Sequence, residues 1–95
     1  GPSVPYFDMY PAEYIRGHAG DTVRIWCDYY PRTAPFDPGY EELEFDSGRG
    51  IYGYTVDIQK KEVTLFLKKA GTGIVYMSAG DPVNASGMAI IEVYP

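Results

Sequence analysis

Trp26, Tyr52 and Tyr76 are the side chains best suited to a binding role, because a broad aromatic face can stack on a sugar ring or anchor a partner protein. Tyr94 would extend the same platform. Each also has an ordinary use: tyrosine is a common cross-strand packing residue, and Trp26 could be covered by the segment 31–39 or by the N-terminal strand. Asp37, Glu41, Glu42, Glu44 and Asp46 offer carboxylate oxygens of the kind that hold Ca²⁺. Three of these alternate along one extended segment, which fans them along a face instead of converging them, and the spacing of a calcium loop is absent. No metal site is expected. His18 and Cys27 could act as base and nucleophile, but no third residue orients them and Cys27 falls on the apolar side of its segment. No catalytic residues and no cofactor are therefore expected. Gly71-Thr72-Gly73 has the composition of a phosphate loop without a helix pattern behind it, and reads as a turn. Asn84-Ala85-Ser86 fits the glycosylation acceptor pattern.

The elements that must position these residues are extended. The stretch 62–79, EVTLFLKKAGTGIVYMSA, reads as a strand, a glycine bend at 70–73 and a second strand, with Val63, Leu65 and Leu67 in step and then Val75, Met77 and Ala79. Alternation at every second residue, with β-branched and aromatic types, argues strand. The segment 22–30 repeats the pattern: Val23, Ile25, Cys27 and Tyr29 share one face, and Thr22, Arg24, Trp26, Asp28 and Tyr30 the other. The charges mark the second face as the solvent side. Residues 4–15 form a first edge strand, kinked at Pro5 and Pro11, followed by a turn at 16–21. Residues 31–39 are an irregular connection. A strand at 40–46 has Leu43 and Phe45 inward. After a turn at 47–50 comes a strand at 51–58, with Tyr54, Val56 and Ile58 in register and Gly53 at a bulge. A loop at 80–87 leads to the last strand, 88–94, with Ala89, Ile91 and Val93 inward.

Composition fits this reading. The chain has 95 residues, enough for one core and not two. Its 11 glycines, 8 prolines and 10 tyrosines suit short strands between turns. About seven strands at regular spacing predict an all-β antiparallel sandwich over residues 4–95. Gly1-Pro2 reads as a protease-cleavage scar, with Ser3 vector-derived, so the chain is expected to be a piece of a longer protein. A single cysteine forms no internal disulfide, and packing alone must hold the sheets together. The net charge of −5 repels phosphate backbones and anionic lipid, which argues against nucleic-acid partners. No apolar run approaches the roughly 18 residues of a membrane-spanning helix, so no membrane insertion is expected.

Three segments together resemble the bacterial immunoglobulin-like (BIG) domain family. Tyr10-Pro11 leads through Ala19-Gly20-Asp21-Thr22-Val23 into TVRIWCDYYP, similar to the family's step into a strand that ends near a proline. Lys69-Ala70-Gly71-Thr72-Gly73-Ile74-Val75 resembles its Ala-Gly-Thr turn, and 88–93 resembles its final strand. The likeness spans residues 9–94. The family's Trp-x-Ser-Ser segment is not matched: Phe45 stands where the Trp is expected and no serine pair follows. The resemblance implies an immunoglobulin-like structural, spacer or adhesion module of a bacterial cell-surface or secreted protein, without catalysis. Its partners would be neighbouring domains of the parent protein. A second reading makes it a carbohydrate- or protein-binding module, its partner a glycan or a surface protein held by the aromatics around Trp26.

Overall fold

The computed structural model describes residues 4–11, 13–45 and 50–95, the side chains at 44 and 45 excepted. The expected tag remnant at 1–3, the inward placement of Phe45, the carboxylates of Glu44 and Asp46, and most of the 47–50 turn lie outside the described residues. Eight strands follow one another: β1 (Tyr6–Tyr10), β2 (Glu13–His18), β3 (Thr22–Tyr30), β4 (Phe36–Phe45), β5 (Tyr52–Asp57), β6 (Glu62–Leu67), β7 (Gly71–Ala79) and β8 (Ala85–Tyr94). They form two four-stranded sheets, ordered β1-β3-β6-β5 and β2-β8-β7-β4. Every pairing is antiparallel except β2 with β8, which run parallel.

The dry layer between the sheets is where the alternation places it. Ile25, Cys27 and Tyr29 on β3 and Val63, Leu65 and Leu67 on β6 face Val75 and Met77 on β7 and Ala89, Ile91 and Val93 on β8, all buried. The hydrophobic effect over this shared face, at about 25 cal/mol per Å² of apolar surface, supplies the main cohesion. The buried Tyr29 hydroxyl has its hydrogen bond made: it donates to the Ala34 carbonyl at 2.8 Å and so fixes the β3–β4 connection.

Four expectations need correction. The first strand is two strands in different sheets. Pro11 has no N–H to donate to a ladder, and the chain changes sheets there, so that β1 pairs with β3 and β2 with β8. β2 continues to His18, which leaves only 19–21 for the turn; Gly20 takes it at a φ of +99°, the left-handed region that glycine enters without strain. Second, the strands at 62–67 and 71–79 do not pair with each other. β6 bonds to β3 and β5, and β7 to β8 and β4. The connection 68–70 crosses between sheets, held by the Lys68 and Lys69 N–H groups donating to the Ile51 carbonyl at 2.7 and 3.1 Å. Gly71 and Gly73 belong to β7 and form no bend.

Third, β4 begins at Phe36 and its inner side is carried by Tyr40 and Glu42, opposite Val75 and Gly73. Leu43 sits at a register shift between Glu42 and Glu44 and is exposed. Fourth, at β5 it is Ile51 and Tyr52 that are buried, while Tyr54 and Ile58 are exposed. β5 is an edge strand, so its inner side looks out through the open flank of the sandwich, where Tyr54 and Tyr40 meet edge-on at 4.5 Å. The β5–β6 register is continuous through Gly53, so no bulge forms there; the register shift lies in the other sheet, between Glu42 and Glu44 of β4.

Lettering the strands in chain order gives A, B, E and D in one sheet and C, F and G in the other, with β2 as a continuation of A beside G. This is the arrangement of an immunoglobulin-type sandwich. The molecule is a rod, 51 × 19 × 17 Å. Tyr6 pairs with Tyr30 at one end of the rod. β1 and β2 then run the full length, and His18 pairs with Tyr94 at the other end. The first and last strands thus enter and leave at opposite poles.

Candidate binding face

Trp26 projects from the outer face of the first sheet, as the alternation along β3 requires, and is 42% exposed. Its neighbours are set by the β1–β3 register, in which Tyr6 faces Tyr30, Asp8 faces Asp28 and Tyr10 faces Trp26. Tyr6 and Tyr30 stack with centroids 6.4 Å apart and planes 16° from parallel. Tyr10 and Trp26 lie 5.9 Å apart, tilted by 31°. Successive outward residues of β1 and β3 therefore make three rungs, aromatic, carboxylate and aromatic. The odd-numbered partners on the other side of the same strands, Phe7 with Tyr29 and Met9 with Cys27, turn to the core.

Charged groups border this strip. Arg24 donates from Nε to Glu62 Oε1 at 2.6 Å. Glu62 is only 8% exposed although it belongs to a solvent-side row, its carboxylate lying under the Arg24 guanidinium. Arg32 donates to the Lys60 carbonyl at 3.2 Å and stands 3.8 Å from Asp28. Tyr6 donates weakly to Asp28 Oδ2 at 3.5 Å. Loss of hydration against the neighbouring strand, and then the Asp28 charge, push the Tyr6 phenol above its ordinary pKa. Arg24, Trp26, Arg32, Lys60 and Glu62 enclose an open concavity of about 430 Å³.

The other expected platform members lie elsewhere. Tyr52 is buried, its hydroxyl reaching across to the carbonyls of Glu41 at 3.3 Å and Ile74 at 3.4 Å. Burial, and then the nearby Glu42 charge, drive its phenol far up. Tyr76 stands on the outer face of the second sheet and donates to Glu41 Oε2 at 3.3 Å. Tyr94 is at the far pole, its ring 5.9 Å from that of His18. None of the three shares a surface with Trp26. The residues that do, Tyr6, Tyr10 and Tyr30, carried a signal in the sequence: Tyr6-x-Asp8-x-Tyr10 and Trp26-x-Asp28-x-Tyr30 repeat one aromatic–acid–aromatic pattern on two strands.

The remaining candidates are placed as follows. The Glu42 carboxylate turns inward and accepts from the N–H groups of Gly50 at 2.7 Å and Ile51 at 2.9 Å. Glu41 faces the other way, toward Tyr76, so these two carboxylates point apart. Cys27 is buried on β3, where burial pushes its thiol up to about 11, while His18 is at the far pole in the other sheet. Asn84 lies in the β7–β8 loop, with its amide donating to Asp81 at 3.1 Å.

No family model matches the sequence, and no curated protein does. Solved structures are similar in shape. The titin M3 domain matches with a TM-score of 0.51 and 14% identity over 98% of this chain and all of that one. A chimeric titin Z1Z2 carrying an exogenous decorin peptide matches at 0.51 and 12%, over 95% of this chain and 96% of that one. An I-band fragment of titin matches at 0.51 and 24%, over 98% of this chain and 33% of that one. At these identities the likeness is one of fold: an immunoglobulin-like sandwich, here held together without a disulfide.

Proposed function

We propose that this chain is a non-catalytic spacer or adhesion module of a bacterial cell-surface or secreted protein, linked at both poles to neighbouring domains. The observation that carries the reading is the separation of the two ends. The chain enters beside Tyr30 and leaves beside His18, on opposite ends of a rod 51 Å long. Copies or neighbours joined in series would therefore extend, not fold back. The resemblance of residues 9–94 to bacterial immunoglobulin-like domains supports the bacterial setting.

The terminal strands suit this role. β2 and β8 run parallel over six paired residues, from Glu13 with Ala89 to His18 with Tyr94. Tension applied at the two ends pulls β2 toward one pole and β8 toward the other, so their ladder is loaded in shear and its bonds must give together.

Single-molecule force spectroscopy tests this. A tandem polyprotein pulled end to end is expected to unfold at a markedly higher force than the same domain pulled between its N-terminus and the 80–84 loop, which share a pole. Equal forces in the two geometries would remove the load-bearing role.

A further inference from the structure

We propose that the outer strip of β1 and β3 binds an extended, uncharged polysaccharide, with Tyr10–Trp26 and Tyr6–Tyr30 as two stacking platforms. The two aromatic rungs are four residues apart along each strand, about 13 Å at roughly 3.3 Å per residue. Between them stand Asp8 and Asp28, directly opposite each other. Like charges facing each other across a ladder are mildly destabilising; Arg32, 3.8 Å from Asp28, offsets part of that, and both carboxylates stay exposed and open to a guest's hydroxyl groups. Carboxylates accept hydrogen bonds from hydroxyl groups, and Arg24, Arg32 and Lys60 donate them. The C–H face of a sugar ring meets the electron-rich face of an aromatic ring favourably.

The alternation selects the ligand class. A protein anchor would need contiguous apolar surface that becomes fully desolvated, whereas here each exposed aromatic rung borders a charged one. Charge excludes polyions as the preferred guest. Around Trp26 the cations Arg24, Arg32 and Lys60 are interspersed with Asp8, Asp28, Asp57 and Glu62, so the strip carries charges of both signs and no block of one sign to hold a polyion. The concavity is open and shallow, which suits a polymer held at several points and not a buried monosaccharide. This inference stands apart from the spacer role, and its failure would leave the opposite-pole geometry intact.

Trp26 is the sole tryptophan, so its emission reports on the site directly. The experiment is native affinity electrophoresis, with Trp26 fluorescence titration, against soluble xyloglucan, arabinoxylan, mixed-linkage β-glucan, galactomannan and pullulan. Polygalacturonate and chondroitin sulfate form an anionic arm, each at low and high salt. At least one neutral polymer is expected to retard the protein independently of salt. Trp26→Ala, read in the gel, and Tyr30→Ala should each weaken that binding about tenfold, while Tyr76→Ala on the opposite sheet leaves it unchanged. Thermal melts confirm that the variants fold. Retardation by no neutral polymer, binding confined to the anionic arm, or binding that survives Trp26→Ala would each overturn the proposal. So would concentration-dependent self-association lost in Trp26→Ala, which would assign the strip to contact between copies of this chain.

Discussion

The Tyr52 ring packs against Gly73 so closely that a Cβ on residue 73 would stand 2.7 Å from the phenol oxygen and 2.8 Å from the Glu41 carbonyl. The phenol crosses from β5 in one sheet to the backbone of β4 and β7 in the other. Gly73 leaves the space through which it passes. Gly73→Ala is expected to destabilise by about 1–3 kcal/mol through overpacking. Tyr52→Phe should cost about 0.5–1.5 kcal/mol through loss of the hydroxyl's bonds. Urea unfolding of both single variants and the double variant checks this, and strict additivity would show that the two residues are not coupled.

Glu42 is a charged residue used as a backbone cap. Its carboxylate takes the N–H groups of Gly50 and Ile51 just before β5, and Ile51 is itself fully buried. Hydrogen bonds to an ionised group contribute about 1.5–3 kcal/mol. Glu42→Ala should lower stability by that order and loosen the start of β5, which amide exchange at Ile51 would report. Glu41→Ala, which removes the surface carboxylate that accepts from the Tyr76 hydroxyl, should change stability by less than about 0.5 kcal/mol. Equal losses in the two variants would contradict the assigned cap.

Core and flank positions that look alike in sequence should separate sharply on substitution. Leu65 is fully buried and Ile58 is 54% exposed. Leu65→Ala is expected to cost about 2–5 kcal/mol, whereas Ile58→Ala should stay within about 0.5 kcal/mol. Denaturant midpoints measured side by side decide the matter.

That contrast marks how far the residues alone could be read. The period-two pattern identifies which side chains share a face, so the inner faces of β3, β6 and β8 were legible. It does not say which strand lies alongside, and β6 and β7 could be taken for a pair although they face each other across the core. Nor does it distinguish a central strand from an edge, which is why Tyr54, Val56 and Ile58 could be read as one register without showing that Tyr54 and Ile58 are exposed. Glu42 reads as outward on polarity, because its use as a cap depends on where residues 50 and 51 return. Trp26 was legible as outward for the same reason that Ile25 was legible as inward. Its companions were not, since Tyr10 and Tyr6 reach it only through the β1–β3 register, and Tyr52 was assigned to the wrong surface.

Stability should fall in alkali, with Cys27 and Tyr52 entering at different pH. Burial holds the Cys27 thiol at about 11 in the folded chain, against an ordinary value of 9.0. Between those values the unfolded chain has lost a proton that the folded chain keeps. The unfolded state then binds fewer protons, and stability decreases with rising pH by at most about 1.4 kcal/mol per unit for one group. Its contribution is fully present below pH 9.0 and gone above about 11. The Tyr52 phenol, also driven up, adds a second loss that begins above its ordinary value of 10.0. Urea midpoints followed from pH 7 to 11 should therefore decline in the parent chain. Cys27→Ala should flatten the decline from its onset, and Tyr52→Phe only in its upper part. The same burial predicts that Cys27 is inert to a thiol reagent at neutral pH until the domain unfolds, so labelling should track global unfolding. Rapid labelling of the native protein, or pH curves that run parallel in all three chains, would remove Cys27 from the core.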